Sequence, residues 1–420
     1  MSEDFPGGTK LLGEFLRLKP HTYDGQHRAA QEDANLVQKY NLGSAKILQY
    51  PVTEEVDGVE ITRDYPLVQI LSEFGPMKSN EDRGTMNWLG HLDTVPLKGK
   101  QKKSDALIIE GNKGKGRGTL DMWAGNISYL RALRELSLLG NARYKIQTIL
   151  SSREESGSEV LYQALQNKDL EEADCMAVTE ISTDENGLIA PVYHARTGRF
   201  GFDVRMSGND DHAGNADRNP EILDGSCLRY LGRALDELLD DARYFSIDNQ
   251  YPGDTTGVLP SKSRALPNSI TADPDGLSLP YAAKLHFNMF HSDPNLTAEE
   301  ALSQLRTYLL SDKIKIPSES LQVNLEDRKG QPFTDPWMTE ADHPLVVAAH
   351  TYAKEISENE NLPLGGASGV AEDGMFNIPT VGWSPVGQHA HKAEEWVDLS
   401  SIRERTLWLN NLASHESSLT

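Results

Sequence analysis

Three short apolar runs in the first half of the chain, TMNWLGHLD (85–93), YKIQTILSS (144–152) and CMAVTEI (175–181), read as buried strands. Between the first two, AGNISYLRALRELSLL (124–139) repeats its apolar positions at helical spacing, which predicts a helix with one buried face. Gly140 and Asn141 suit its end. Strand-like and helix-like stretches alternate through this half, so the pattern predicts an α/β layer with a mainly parallel sheet.

From about Phe200 the pattern changes. A strand (GFDVRMSG), a helix (EILDGSCLRYLGRALDELL), extended segments near SITADP and AAKLHFNMF, a helix (TAEEALSQLRTYLL) and a strand (LQVNLEDR) follow in turn. That order is βαββαβ, an independent small sandwich. After Gly330 comes a helix-like segment, HPLVVAAHTYAKEISE, and then a Gly/Pro-rich run. A chain of 420 residues favours two domains over one. The expected organisation is a first domain from residues 1–197 and 331–420, interrupted by a second at 198–330. There is no repeat and no low-complexity tract.

Composition narrows the class. With 38% hydrophobic and 25% charged residues the chain is globular, and no segment reaches the roughly 18 consecutive apolar residues of a membrane span. The start, MSEDFPGGTK, has acidic residues where an export signal wants basic ones, so a soluble, cytoplasmic protein without membrane partners is expected. Cys175 and Cys227 are the only cysteines, which excludes a disulfide framework and offers no CxxC metal site. A net charge of -22 would repel a phosphate backbone, so nucleic acid is not an expected partner.

Chemistry-bearing residues gather at strand ends and glycine-rich turns. His91 and Asp93 lie in GHLDTVP, at the carboxyl end of an apolar strand, where open α/β sheets place their sites. Taken alone, His-x-Asp fits a metal-binding imidazole oriented by a carboxylate, or a hydrogen-bonded structural histidine. Asp121, in GRGTLDMWAGN, stands close to the N-cap of the long helix, the common role for such an aspartate. Glu154 and Glu155, in SSREESGS, either form a wet loop or divide metal binding from proton transfer. Glu180 ends CMAVTE, and His391 lies in VGQHAHKAEEWV near the terminus. Two histidines and three carboxylates suit zinc or a similar divalent ion.

As an ordered set, GHLDTVP, GRGTLDMWAGN, SSREESGS, VTEIST, GNDDHAGN and VGQHAHKAEEWV resemble the M20 family of metallopeptidases, which includes carboxypeptidases, dipeptidases, aminoacylases and amino-acid deacylases. The resemblance implies an α/β catalytic domain with a mixed sheet between helices, interrupted by a βαββαβ lid or dimerisation domain. It makes His91 and Glu180 ligands of one metal, Glu155 and His391 ligands of the other, and Asp121 the bridge. Asp93 would orient His91, and Glu154 would be the general base. His212, in GNDDHAGN, would reach across a homodimer to help hold the substrate carbonyl, and Asn268 matches a family asparagine near the substrate. The implied function is hydrolysis of an amide bond in a small peptide or N-acyl amino acid, with a metal-bound water as nucleophile. Two ions are implied, zinc first, with cobalt and manganese able to share the same donors. The alternative is an inactive binding or regulatory homologue, which would lack Glu154 or a ligand.

Two departures from the family pattern stand out. Where many members carry Lys and Gly after the bridging aspartate, this chain has Trp123 and Ala124. The strand Leu285–Phe290 lacks the arginine with which relatives grip a substrate α-carboxylate, leaving Arg264 and Arg196 as candidate replacements.

Overall fold

A computed structural model describes residues 4–56, 58–75, 83–97, 106–181, 190–209, 215, 221–239, 245–248, 259–260, 262–272, 279–326, 334–367, 369–415 and 419. The chain forms two units, residues 1–196 with 338–420, and residues 197–337.

The larger unit is built on a mixed sheet. Its centre is parallel, with strand Thr85–His91 between Lys145–Ser151 and Cys175–Val178, and Thr380–Trp383 beyond Cys175–Val178. Antiparallel pairing flanks this centre. On one side the long hairpin Ser44–Val56 and Val59–Ser72 adds to Lys145–Ser151; on the other, Val192–Arg196 runs antiparallel to Thr380–Trp383. The three apolar runs are thus strands buried along nearly their whole length, as parallel strands covered on both faces must be.

Alternation along each strand divides the core between the two faces. Met86 and Trp88 pack with helices Gly8–Arg17, Ala124–Leu139, Pro344–Ser357 and Leu399–Ala413, whereas Leu89, Ile149, Met176 and Val178 pack with helix Glu159–Asn167. The predicted helix at 124–139 forms with those bounds, and Gly140 ends it at φ +62°, in the left-handed region that favours glycine. Asp121 is not its N-cap. Trp123 holds that position, and Asp121 precedes it in a turn, Thr119–Trp123, with a non-helical φ of -115° and ψ of 95°. Trp123 itself is fully buried and stacks on Phe15 at 4.4 Å between ring centroids, so a core contact occupies the place where relatives carry lysine.

The smaller unit has one five-stranded antiparallel sheet. Gly198–Ser207 lies between Ala282–His291 and Leu321–Leu325, and Lys262–Ala272 and the short Ser246–Asp248 extend the other edge. Helices Cys227–Leu239 and Ala298–Leu309 share its core, and Ala298–Leu309 starts with a capping box between Thr297 and Glu300. The order differs from the sequence reading in the extra strand Ser246–Asp248 and in the break of the first helix near Gly225 and Ser226, which leaves Glu221–Asp224 as a separate turn of helix.

Candidate metal centre

Parallel pairing brings the carboxyl ends of the central strands to one rim, and the loops leaving that rim carry the titratable residues. His91 is the last residue of its strand, Ser151 ends the next, three residues before Glu154, and Glu180 follows Cys175–Val178 by two. Tyr129, on the long helix, ties two of these ends together: its hydroxyl donates to the Leu89 carbonyl at 2.7 Å and accepts from Thr179 N at 2.8 Å. Asn126 Nδ2 donates to the His91 carbonyl at 2.7 Å. A Cβ at Gly90 would lie 2.3 Å from Asn126 Oδ1, so this close approach of helix to strand requires glycine.

Asp121 arrives on a turn that begins at Gly118, whose φ of +80° suits glycine. Its carboxylate sits between the two histidines. Oδ1 lies 3.1 Å from His91 Nε2, and Oδ2 lies 2.7 Å from His391 Nε2. Glu180 Oε2 is 3.6 Å from His91 Nε2, and Glu155 Oε2 is 3.0 Å from His391 Nε2. The five residues therefore fall into two groups, His91 with Glu180 and His391 with Glu155, joined by Asp121. One donor atom each from His91, Asp121 and Glu155 lies within 4.8 Å of the others.

Asp93 makes contacts to both the His91 ring and the glutamate turn. His91 Nδ1 faces the Asp93 backbone carbonyl at 2.9 Å, closer than the Asp93 carboxylate at 3.7 Å. A carbonyl accepts only from a protonated Nδ1, so Nε2 is the ring nitrogen turned toward Asp121 and Glu180 and the one that would bind an ion. The Asp93 carboxylate instead accepts from the backbone N–H groups of Glu154 and Glu155, at 3.1 and 3.2 Å, and so fixes the turn that presents both glutamates. Glu154 Oε2 lies 4.0 Å from His91 Nε2. Asn268 is an exposed residue at a bulge of strand Lys262–Ala272, in the smaller unit, and His212 lies outside the described residues.

The two candidate replacements for the missing arginine fare differently. Arg196 is spoken for: it is buried, with Nε donating to Asp373 Oδ2 at 2.8 Å and Nη2 to the Tyr193 hydroxyl at 3.0 Å. Arg264 is exposed and pairs in register with Phe290, whose other neighbour in the sheet is Arg199.

Sequence reasoning also missed a buried ion pair behind the site. Glu395 Oε1 accepts from Leu120 N at 3.0 Å and Asp121 N at 3.3 Å, while Oε2 accepts from Arg117 Nη1 at 3.0 Å. Arg117 Nη2 donates to the His391 carbonyl at 3.0 Å. The pair thus locks the loop of Asp121 to the loop of His391, where His391 itself has φ +65°. Both residues stand within the ordered motifs; only their burial together separates them from ordinary surface charges. Because an uncompensated buried charge costs about 3–5 kcal/mol, Glu395→Gln is expected to destabilise the fold by up to that amount. Metal affinity should fall roughly 10- to 100-fold, the usual effect of removing a residue that orients ligands. Urea unfolding and competition with a chromogenic chelator measure the two effects; unchanged affinity would show that the clamp serves the fold alone.

The electrostatics fit a bound cation. Burial pushes Glu154 and Glu155 upward and takes Glu180 up to about 7. Hydrogen bonds from His391 to Asp121 and Glu155 push the His391 imidazole up to about 11. Burial works against a charged His91, yet the Glu180 carboxylate and the Asp121 contact outweigh it and raise that imidazole too. Asp121 is held low by the same two histidines despite its burial. The cluster thus gathers several acids around two imidazoles away from water, and divalent cations with imidazole and carboxylate ligands would supply positive charge among them.

The model of Peptidase family M20/M25/M40 matches residues 88–415. No curated protein sequence matches the chain. Among solved structures, human carnosine dipeptidase 1 superposes with a TM-score of 0.72 at 16% identity, over 97% of this chain and 95% of that one. An M20 family metallo-carboxypeptidase from Sulfolobus solfataricus gives 0.70 at 16%, over 98% and 99%. A dinuclear metal binding peptidase of the M20 family from Bacillus subtilis gives 0.60 at 10%, over 97% and 98%. At these identities the likeness is one of fold. The family model, which spans most of the chain and every strand end described above, carries the assignment: this chain belongs to peptidase family M20/M25/M40 and is a metal-dependent hydrolase of the peptidase and amidohydrolase type.

Proposed function

We propose that the chain hydrolyses an amide bond in a small peptide or an N-acyl amino acid, using two divalent cations, zinc first among them. The observation that carries this reading is Asp121, whose two oxygens face two different histidines, each with its own glutamate. His91 and Glu180 would hold one ion, His391 and Glu155 the other, and Asp121 would bridge them. Such ions supply charge that polarises a carbonyl and brings a water's pKa toward neutrality.

The protein's own part is proton transfer and orientation. Glu154, held by the Asp93 contact to its backbone, accepts a proton from the attacking water as the water oxygen bonds to the carbonyl carbon. When the C–N bond breaks, Glu154 returns that proton to the leaving amine, so no covalent acyl-enzyme forms. The homodimer, the smaller unit's part in it and the roles of His212 and Asn268 are inferred from the family resemblance. No described helix is long and apolar enough to cross a membrane.

Dipeptides and N-acyl amino acids offered to zinc- and cobalt-loaded protein test the reading, with bound metal quantified alongside. Turnover that depends on two bound ions is expected. A fully loaded protein that hydrolyses neither class would overturn it.

A further inference from the structure

Glu372 is a buried carboxylate that this chemistry leaves without a role. It opens a short turn, Glu372–Met375, and is 3% exposed. One oxygen accepts from the Ser151 hydroxyl, at the strand end that leads to Glu154, and the Ser158 hydroxyl lies against the same group. Oε1 has no hydrogen-bond partner among the described residues. Together with His91, Glu154, Glu180 and Asp373, Glu372 lines a cavity that opens beside the His91 and Glu180 side of the metal centre. The other acids there are occupied: Arg196 neutralises Asp373, Glu180 is placed as a ligand, and Glu154 as the proton carrier. No lysine or arginine lines this cavity among the described residues.

A carboxylate oxygen buried without a donor costs free energy until a partner arrives, and Glu372 lines the small cavity beside His91 and Glu180. The partner must donate hydrogen bonds and is bound most strongly if it is positively charged. The free N-terminal ammonium of a peptide meets both needs, with three N–H donors on one cation. An N-acyl amino acid brings no such charge. We infer that Glu372 reads the substrate's α-ammonium and thereby makes unblocked peptides, and not N-acyl amino acids, the preferred substrates. The inference rests on the amide-hydrolase reading above.

The test compares kcat/KM of the metal-loaded full chain for alanyl-leucine and for its N-acetyl derivative. The free amine is expected to be preferred at least tenfold, since a site built around a polar group discriminates strongly against a substrate lacking its partner. In Glu372→Gln that ratio should fall at least tenfold, mainly through a higher KM for the free peptide, and Glu372→Asp should restore part of it. Equal wild-type rates for the two substrates, a preference for the N-acetyl form, or an equal loss on both in Glu372→Gln would overturn the inference while leaving the hydrolase reading intact. No turnover of either by loaded protein would remove both. The wild-type ratio needs no variant, so it decides the matter even where Glu372→Gln fails to fold.

Discussion

Glu154→Gln is expected to lower kcat by a factor of about 10² to 10⁴ while leaving the two ions and the fold in place. The substitution keeps the side chain's size and removes its capacity to take a proton. The backbone N–H of Glu154 still donates to Asp93, so the turn that presents Glu155 should hold. The loss corresponds to about 3–5 kcal/mol of transition-state stabilisation. Steady-state kinetics beside metal analysis separates the outcomes. Near-normal turnover would pass the base's role to another carboxylate, and a drop in metal content would make Glu154 a ligand.

Asp121→Ala is expected to have the largest effect of any single substitution. One carboxylate faces both histidines, so under the proposed two-ion reading its removal would take a ligand from each ion at once and leave each with one imidazole and one glutamate. Bound metal should fall from two ions toward none, and turnover should drop by a factor on the order of 10³ or more, because both carbonyl polarisation and water activation depend on the ions. His91→Ala and His391→Ala, by contrast, each strike one group. Mass-spectrometric metal counts on the three variants decide the matter: if Asp121→Ala keeps both ions, Asp121 is not the bridge.

Much of this was legible in the chain, and what was not has identifiable causes. The three apolar strands and the helix Ala124–Leu139 were readable because burial on both faces, or on one helical face, leaves a hydrophobic imprint on local sequence. The hairpin Ser44–Val56 with Val59–Ser72 leaves a weaker one: its turn-proximal half is mostly exposed, and prolines at 51 and 66 break the pattern. Asp121 reads as an N-cap from its spacing, and only the extra turn before Ala124 moves it away from that role. Asp93 meets the His91 ring through its backbone carbonyl at 2.9 Å, with its carboxylate at 3.7 Å. Its carboxylate serves the glutamate turn, a contact between residues about sixty apart that no local pattern records. Glu372 and Glu395 are two acids among 63 in the chain. Residue type alone does not single them out, because a carboxylate's significance here comes from its lost access to water.

The order of strands has a consequence for how the protein is made. Thr380–Trp383 lies between Cys175–Val178 and Val192–Arg196, so the sheet is interrupted until a segment some two hundred residues downstream has left the ribosome. His391 follows that strand closely, and its loop is what closes the acidic cluster. A nascent chain therefore carries a half-built sheet with two open edges, and contacts this distant in sequence form slowly. The smaller unit's sheet, by contrast, draws on a continuous stretch of chain and needs no such distant pairing. Insertion of the one short strand Thr380–Trp383 joins Cys175–Val178 to Val192–Arg196 and brings the His391 loop to the acidic cluster.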